Sequence, residues 1–278
     1  MPMMPMRRHG VAAALIACAL ALRPAPAPAD TVLITGANSG IGLEFARQYA
    51  AKGWTVIATH RRAQPPKSLT DLSARYPNVR IESVDVTSVP QVQALALRLS
   101  GMPIDVLINN AGVYNGRSAC RSDDRCPGDW SVESFGKLDY PLLDTIMAVN
   151  IKGPLIVSET LYGNVKASHQ KKIVAISSSN GTLTGEAQPR PGAIFYRMSK
   201  AALNREMQIV AASTRKDGVT VVMLNPGPTL TEHQEYLSSY PGMLKTSFTV
   251  ENMIRTIDKS TIADTGRFLR YDGVPEPW

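Results

Sequence analysis

From residue 31 onward, short runs rich in valine and isoleucine alternate with stretches of helical periodicity, and this alternation restricts the chain more than any other feature. Apolar runs of strand length describe strands buried on both faces. Helix-length connections between them describe βαβ units around a parallel sheet. The pattern predicts strands near 31–36, 54–59, 79–84, 104–109, 172–177, 219–224 and 267–271, with helices near 41–52, 89–100, 141–162 and 195–216. Seven strands with helices on both faces make a doubly wound parallel α/β sheet, whose ligand belongs in the crevice at the carboxyl ends of the strands. At 278 residues, 44% of them apolar, one such domain over 30–278 accounts for the chain.

Directly after the first strand comes Thr35-Gly36-Ala37-Asn38-Ser39-Gly40-Ile41-Gly42, opening the first helix. Three glycines allow a tight turn and close approach of backbone to a diphosphate, and the helix N-terminus offers N–H groups to the anion. Strand, turn and helix in this order specify a Rossmann-type, dinucleotide-binding unit, with Gly36, Asn38, Ser39, Gly40, Ile41 and Gly42 as its cofactor contacts. At the end of the second strand, where an acid would take the ribose hydroxyls of NAD, the chain has His60-Arg61-Arg62. Arg61 could pair bidentately with a 2′-phosphate, which favours NADP(H) over NAD(H); the alternative is that these arginines only line the surface. Asp85 and Val86, after the third strand, are placed to meet the adenine.

Asn109-Asn110-Ala111-Gly112 closes the fourth strand, and Asn150 falls inside the central helix, where asparagine is unfavourable unless its amide is used. A kinked helix holding a water is one such use. Ser177-Ser178 ends the fifth strand, and Tyr196-Arg197-Met198-Ser199-Lys200 lies on the next helix. Tyrosine and lysine four apart share a helix face, so the ammonium is expected to lower the phenol's pKa from about 10 towards the range of general acid–base work. A serine hydroxyl from the adjacent strand end could then donate to a carbonyl oxygen on which charge builds.

In this order, the glycine turn, Asn-Asn-Ala-Gly, an asparagine, a serine, Tyr-x-x-x-Lys and a Pro-Gly turn resemble the short-chain dehydrogenase/reductase family over about residues 31–278. The resemblance implies hydride transfer between a nicotinamide cofactor and a carbonyl or alcohol. Tyr196 would be the acid–base, Lys200 would also hold the nicotinamide ribose, and Asn150 would hold a water of the proton relay. The family's Ser-x-x-Gly pattern, counted back from Gly181, selects Ser178 over Ser177 as the polarising hydroxyl. Asn110, Ala111 and Gly112 would flank the cofactor, and Pro226, Gly227, Thr229 and Thr231 would secure its carboxamide and phosphates. The C-terminal run Gly266-Arg267-Phe268-Leu269-Arg270-Tyr271-Asp272-Gly273 is similar to the C-factor and sniffer-type carbonyl reductases. That similarity leaves two readings open, an NADPH-dependent carbonyl reductase and a cofactor-binding signalling protein with little turnover. The family also commonly forms dimers and tetramers, here through the helices near 141–162 and 195–216.

The net charge of +7 falls to +4 without Arg7, Arg8 and Arg23, since residues 1–29 hold no acid and the remainder carries 27 basic against 23 acidic residues. A surplus that small, with no basic run, argues against a nucleic-acid partner. Arg7-Arg8, the apolar Val11–Leu22 and the small-residue run Ala25–Ala29 have the three parts of an export signal. The alternatives are acylation at Cys18 and an unused leader. Cys120 and Cys126 would then form an even pair, suited to a local disulfide or present as incidental thiols. Insertions 114–137 and 181–194 follow strand ends on the ligand side. They either shape the mouth of the site, together with 230–245, or decorate the surface.

Overall fold

The computed structural model describes residues 29–114, 133–184, 192–232 and 241–278. The expected export signal, Cys18, Cys120 and Cys126 lie outside the described residues.

Seven parallel strands form one sheet: β1 (Thr31–Ile34), β2 (Thr55–His60), β3 (Val79–Ser83), β4 (Val106–Asn109), β5 (Lys172–Ile176), β6 (Thr220–Asn225) and β9 (Phe268–Arg270). Their order is β3-β2-β1-β4-β5-β6-β9, so the chain reverses direction across the sheet between β1 and β4. β7 (Thr229–Leu230) and β8 (Leu244–Lys245) make a separate parallel pair beside it.

Because side chains alternate along a strand, the buried runs feed two cores at once. Leu33, Leu107, Ile173 and Val221 face one cluster with α3 (Val89–Arg98) and the helices of the central connection. Val32, Ile108, Val174 and Val222 face the other, with α1 (Gly40–Ala51) and α2 (Lys67–Arg75). The expected seven-strand α/β sheet is present.

Local details differ from the expected pattern for identifiable reasons. The continuous helix expected at 141–162 is α4 (Tyr140–Met147), a π-helical turn at Ala148–Lys152, α5 (Gly153–Thr160) and a short α6 (Tyr162–Lys166). Gly153 lies against Val86, where a Cβ would come within 2.8 Å of a valine methyl. The helix expected at 195–216 is α7 (Ile194–Thr214). α2 and α8 (Thr246–Lys259) escape the periodicity reading because each presents a narrow apolar stripe, Leu69 and Leu72 in the first and Val250, Met253, Ile254 and Ile257 in the second. No helix among the described residues is long and apolar enough to cross a membrane.

After β5 the chain makes a 3₁₀ turn, Ser179–Gly181, that presses on α7. A Cβ at Gly181 would stand 2.6 Å from the Lys200 carbonyl carbon and 2.8 Å from the Ala201 nitrogen. Helix backbone cannot yield locally, so Gly181→Ala should destabilise by about 1–3 kcal/mol. Gly163→Ala in α6, where nothing lies within 4 Å, should stabilise by up to about 1 kcal/mol. Chemical denaturation of both variants checks this contrast, and equal effects would refute the tight contact.

Candidate active site

The carboxyl ends of β1 and β4 are stitched together around the glycine turn. Thr35 Oγ accepts from the N–H groups of Asn110 and Ala111, both at 3.0 Å, and Asn110 Nδ2 donates to the carbonyls of Thr35 (2.9 Å) and Gly36 (3.1 Å). Gly36 has φ +65°, and a Cβ there would stand 2.9 Å from Ala111 Cα. At Gly42 a Cβ would stand 2.4 Å from both Asn110 Nδ2 and the Gly36 carbonyl oxygen. These contacts leave no room for side chains and keep a bare backbone turn at the start of α1, whose first N–H groups have no partner within the helix. Asn38, Ser39 and Ile41 belong to this turn and first helical residues; the Asn38 carbonyl accepts from Ser68 Oγ at 2.7 Å.

Other expected cofactor residues surround the same strand ends. Arg61 follows β2 on the surface, next to buried His60, whose Nδ1 accepts the Arg62 N–H at 3.2 Å. Asp85 Oδ1 accepts from the N–H and hydroxyl of Thr87, making a tight turn after β3, and Val86 packs on Gly153. After β6, Gly227 has φ +69° and lies against the Tyr271 ring, while Thr229 Oγ donates to the Pro226 carbonyl at 2.9 Å. Thr231 reaches the glycine turn, its methyl 3.3 Å from where a Gly40 Cβ would be.

The second half of the site centres on Tyr196. Ser177 and Ser178 are separated by the alternation at the strand end. Ser177 Oγ is buried and donates to Asn204 Oδ1 at 2.5 Å, whereas Ser178 Oγ accepts the Asn180 N–H at 3.2 Å and lies near enough to the Tyr196 phenol to act on its pKa. Lys200 Nζ stands 5.6 Å from the centroid of the Tyr196 ring and donates to the Ile176 carbonyl at 2.8 Å. Gly112 adjoins this ammonium, a Cβ there lying 3.9 Å from Nζ and 3.5 Å from Asn150 Oδ1. In the π-helical turn, Asn150 donates to the Val113 carbonyl and Ser199 Oγ, both at 2.9 Å, and accepts the Val113 N–H at 2.8 Å. Both amide hydrogens are therefore engaged. A water at this position would be left with the second lone pair of Oδ1 or the carbonyls of the π turn.

The expected electrostatics are reversed for the phenol. Burial pushes Tyr196 well above the ordinary tyrosine range. The nearby Ser178 hydroxyl opposes this, and the neighbouring Tyr114 and Glu133 add to it. Lys200 does not bond the phenol, and burial lowers its own pKa to about 8. Desolvation disfavours the charged form of each group.

Four contacts were not legible as site features. Thr35 appears in the sequence only as the residue before a glycine turn. Tyr114 stacks edge-on against Tyr196 at 4.6 Å between centroids. Glu133 lies buried, with Oε2 accepting the Tyr196 N–H at 3.2 Å. Glu232 Oε1 accepts the Gly40 N–H at 2.8 Å, placing a carboxylate at the anion-attracting end of α1. The last three lie at the margins of insertions, where no periodicity constrains position. Residues 115–132, 185–191 and 233–240 of those insertions lie outside the described residues.

A parallel sheet reversing between β1 and β4, with a bare glycine turn at that point, is the architecture of the Rossmann-type nucleotide-binding proteins. The chain belongs to the short-chain dehydrogenase family of oxidoreductases, whose pattern matches residues 30–241. It is 30% identical to 1-hydroxy-2-glutathionyl-2-methyl-3-butene dehydrogenase of Rhodococcus sp. (strain AD45), the match covering 90% of this chain and all of that protein. It is also 30% identical to C-signal of Myxococcus xanthus over 67% of this chain and all of that protein, in keeping with the expected subgroup. Among solved structures, the NADPH-bound carbonyl reductase from chicken fatty liver is similar, with a TM-score of 0.74 and 26% identity. That match covers 90% of this chain and all of the other.

Because Lys200 holds its proton less tightly folded than unfolded, the charged amine weighs on stability in full below about pH 8. The burden disappears as pH rises from there to its ordinary value of 10.5. Lys200→Met should therefore raise the unfolding free energy at neutral pH, by on the order of 1 kcal/mol after the lost Ile176 bond. The gap should close with rising pH. Denaturant titrations of both proteins from neutral to alkaline pH test this, and a gap that widens with pH would contradict it.

Proposed function

We propose that this chain is an NADP(H)-dependent carbonyl reductase or alcohol dehydrogenase, in which Ser178, Tyr196 and Lys200 serve the substrate and Asn150 braces them. The convergence of Ser178, Tyr196 and the buried Lys200 ammonium at the ends of the strands carries this reading.

The residues fit a dinucleotide. The glycine turn and the first N–H groups of α1 would take its diphosphate, Arg61 a 2′-phosphate, and Asp85 and Val86 the adenine. Asn110, Ala111 and Gly112 would border the ribose next to Lys200, and Pro226, Gly227, Thr229 and Thr231 the carboxamide and phosphates. When bound, the cofactor supplies or accepts a hydride at its nicotinamide ring. The NADPH in the similar chicken carbonyl reductase supports the choice of the phosphorylated cofactor. Ser178 would donate to the substrate oxygen as negative charge develops there, and Tyr196 would deliver the proton that makes the alcohol. The raised pKa of Tyr196 keeps the phenol in the acid form that reduction requires.

Turnover of a panel of aldehydes and ketones with NADPH tests the reaction. Tyr196→Phe should lower kcat by at least about 100-fold while leaving NADPH affinity within a few-fold. Tight NADPH binding by the wild-type chain with no oxidation across the panel would favour the binding role over the enzyme.

Fluorescence titration tests the cofactor. NADPH should bind at least about tenfold more tightly than NADH, and Arg61→Ala should erase most of that difference. A bound diphosphate must displace the Glu232 carboxylate from the Gly40 N–H, so Glu232→Gln should bind NADPH about three- to tenfold more tightly. Failure of the wild-type protein to bind either nucleotide would remove the basis of the proposal.

A further inference from the structure

The helix that carries Tyr196 starts without a cap of its own. At its N-cap, Ala193 has φ 53° and ψ 35°, a left-handed conformation that alanine rarely adopts, and no side chain that could accept a hydrogen bond. The first helical hydrogen bond runs from the Arg197 N–H to the Ala193 carbonyl at 2.9 Å. The Tyr196 N–H, one of those a helix leaves without an internal partner, is instead taken by Glu133 Oε2, 63 residues earlier in the chain. Glu133 is fully buried, and its other oxygen, Oε1, is buried with no hydrogen-bond partner among the described residues. The neighbouring Ser134 lies against the same helix entry, its Oγ 3.8 Å from where a Gly192 Cβ would be. A carboxylate is expensive to bury with one oxygen unpaired, so its place at the head of this helix calls for a function.

We propose that Glu133 is a positioning residue: it caps α7 from outside, fixes the turn that holds Tyr196, and sets the charge environment of the phenol. The proposal rests on the reductase reading only for its kinetic arm. The geometry separates two effects. The cap acts through one accepted hydrogen bond, which a neutral amide oxygen can also provide. The charge acts through space and needs the ionised carboxyl. Among the described residues, the other groups facing the phenol are the Tyr114 ring, the Ser178 hydroxyl and the Lys200 ammonium. Glu133 is the one acid among them. A negative charge there disfavours the phenolate, so removing it should let Tyr196 ionise at lower pH. Burial raises the carboxyl's own pKa, and the Tyr196 N–H opposes that rise, so the charge is present above the carboxyl's titration and absent below it.

The test compares Glu133→Gln and Glu133→Ala with the wild-type chain by two readouts. In carbonyl reduction, Glu133→Ala should lower kcat about tenfold with KM within about twofold, the signature of a misplaced acid rather than a lost binding contact. Glu133→Gln should restore kcat to within about twofold and move the alkaline limb of the pH profile to lower pH. The second readout needs no turnover: tyrosinate absorbance as a function of pH, taken as the difference between each protein and its Tyr196→Phe counterpart. The Tyr196 titration should move to lower pH in Glu133→Gln. If Glu133→Ala matches the wild type in kcat, the positioning role is wrong. If Glu133→Gln is as impaired as Glu133→Ala, or leaves the Tyr196 titration unmoved, the division into cap and charge is wrong. Should the wild-type chain reduce no carbonyl, the functional reading fails, while the absorbance titration still decides the role of Glu133. Should Glu133→Ala fail to fold, Glu133→Gln carries the decision through the same two readouts.

Discussion

One buried amide holds together the parts on which the site depends. Asn150 gives both hydrogens and its oxygen to Val113 after β4 and to Ser199 on α7, and Ser199 Oγ in turn donates to the Tyr196 carbonyl at 2.7 Å. A loop, a π-helical turn and the helix of the candidate acid are thereby fixed to one another by a side chain that is 1% exposed. Asparagine weakens an α-helix, and the extra residue of a π turn weakens it further. Both are tolerated because the amide's two hydrogens and its oxygen find partners on the loop and on α7. An unmet amide at this depth would cost about 1–3 kcal/mol, so the arrangement is specific: if any partner moves, an unsatisfied group is left behind.

A second stitch, between Thr35 and Asn110, does the same for the glycine turn, and the two meet at Gly112. The chain runs from Asn110, tied to the turn, through Gly112 beside Lys200, to Val113, tied to Asn150. Four residues therefore set the distance between the glycine turn and the Ser178–Tyr196–Lys200 group. Close approach is what demands small residues here. The space that a Cβ would need at Gly36 and Gly42 is already taken by Ala111 and Asn110, and at Gly181 by the backbone of α7.

The sheet was legible because a buried parallel strand needs nothing beyond a short apolar run. All seven strands of the main sheet follow the expected runs, with ends shifted by up to two residues. The placement of candidate site residues was legible where chemistry fixes a local spacing, as with Tyr196 and Lys200 on one helix face or the glycines of the turn. Contacts made across long sequence separations left no such trace. Glu133 capping Tyr196, Tyr114 stacking on it and Glu232 on Gly40 depend on how insertions return to the sheet, and no local pattern encodes that path. The sign of the Tyr196 shift was missed for a related reason. Helical spacing places Lys200 near the ring, but the depth of burial and the competing Ile176 carbonyl are tertiary facts.

That sign bears on the direction of the chemistry. Burial favours the neutral phenol and draws the amine's pKa down to about 8, so the phenol and the amine are each held nearer to neutrality than in water. An acid is useful in reduction when it carries its proton as the substrate oxygen becomes negative. A base is useful in oxidation only once it has lost that proton. On the reductase reading proposed above, these groups suit the delivery of a proton. Accepting one would require a new positive charge near the phenol, or loss of the carboxylate beside it, to offset the desolvation. Among the groups that act on the phenol, the Ser178 hydroxyl is the one that lowers its pKa.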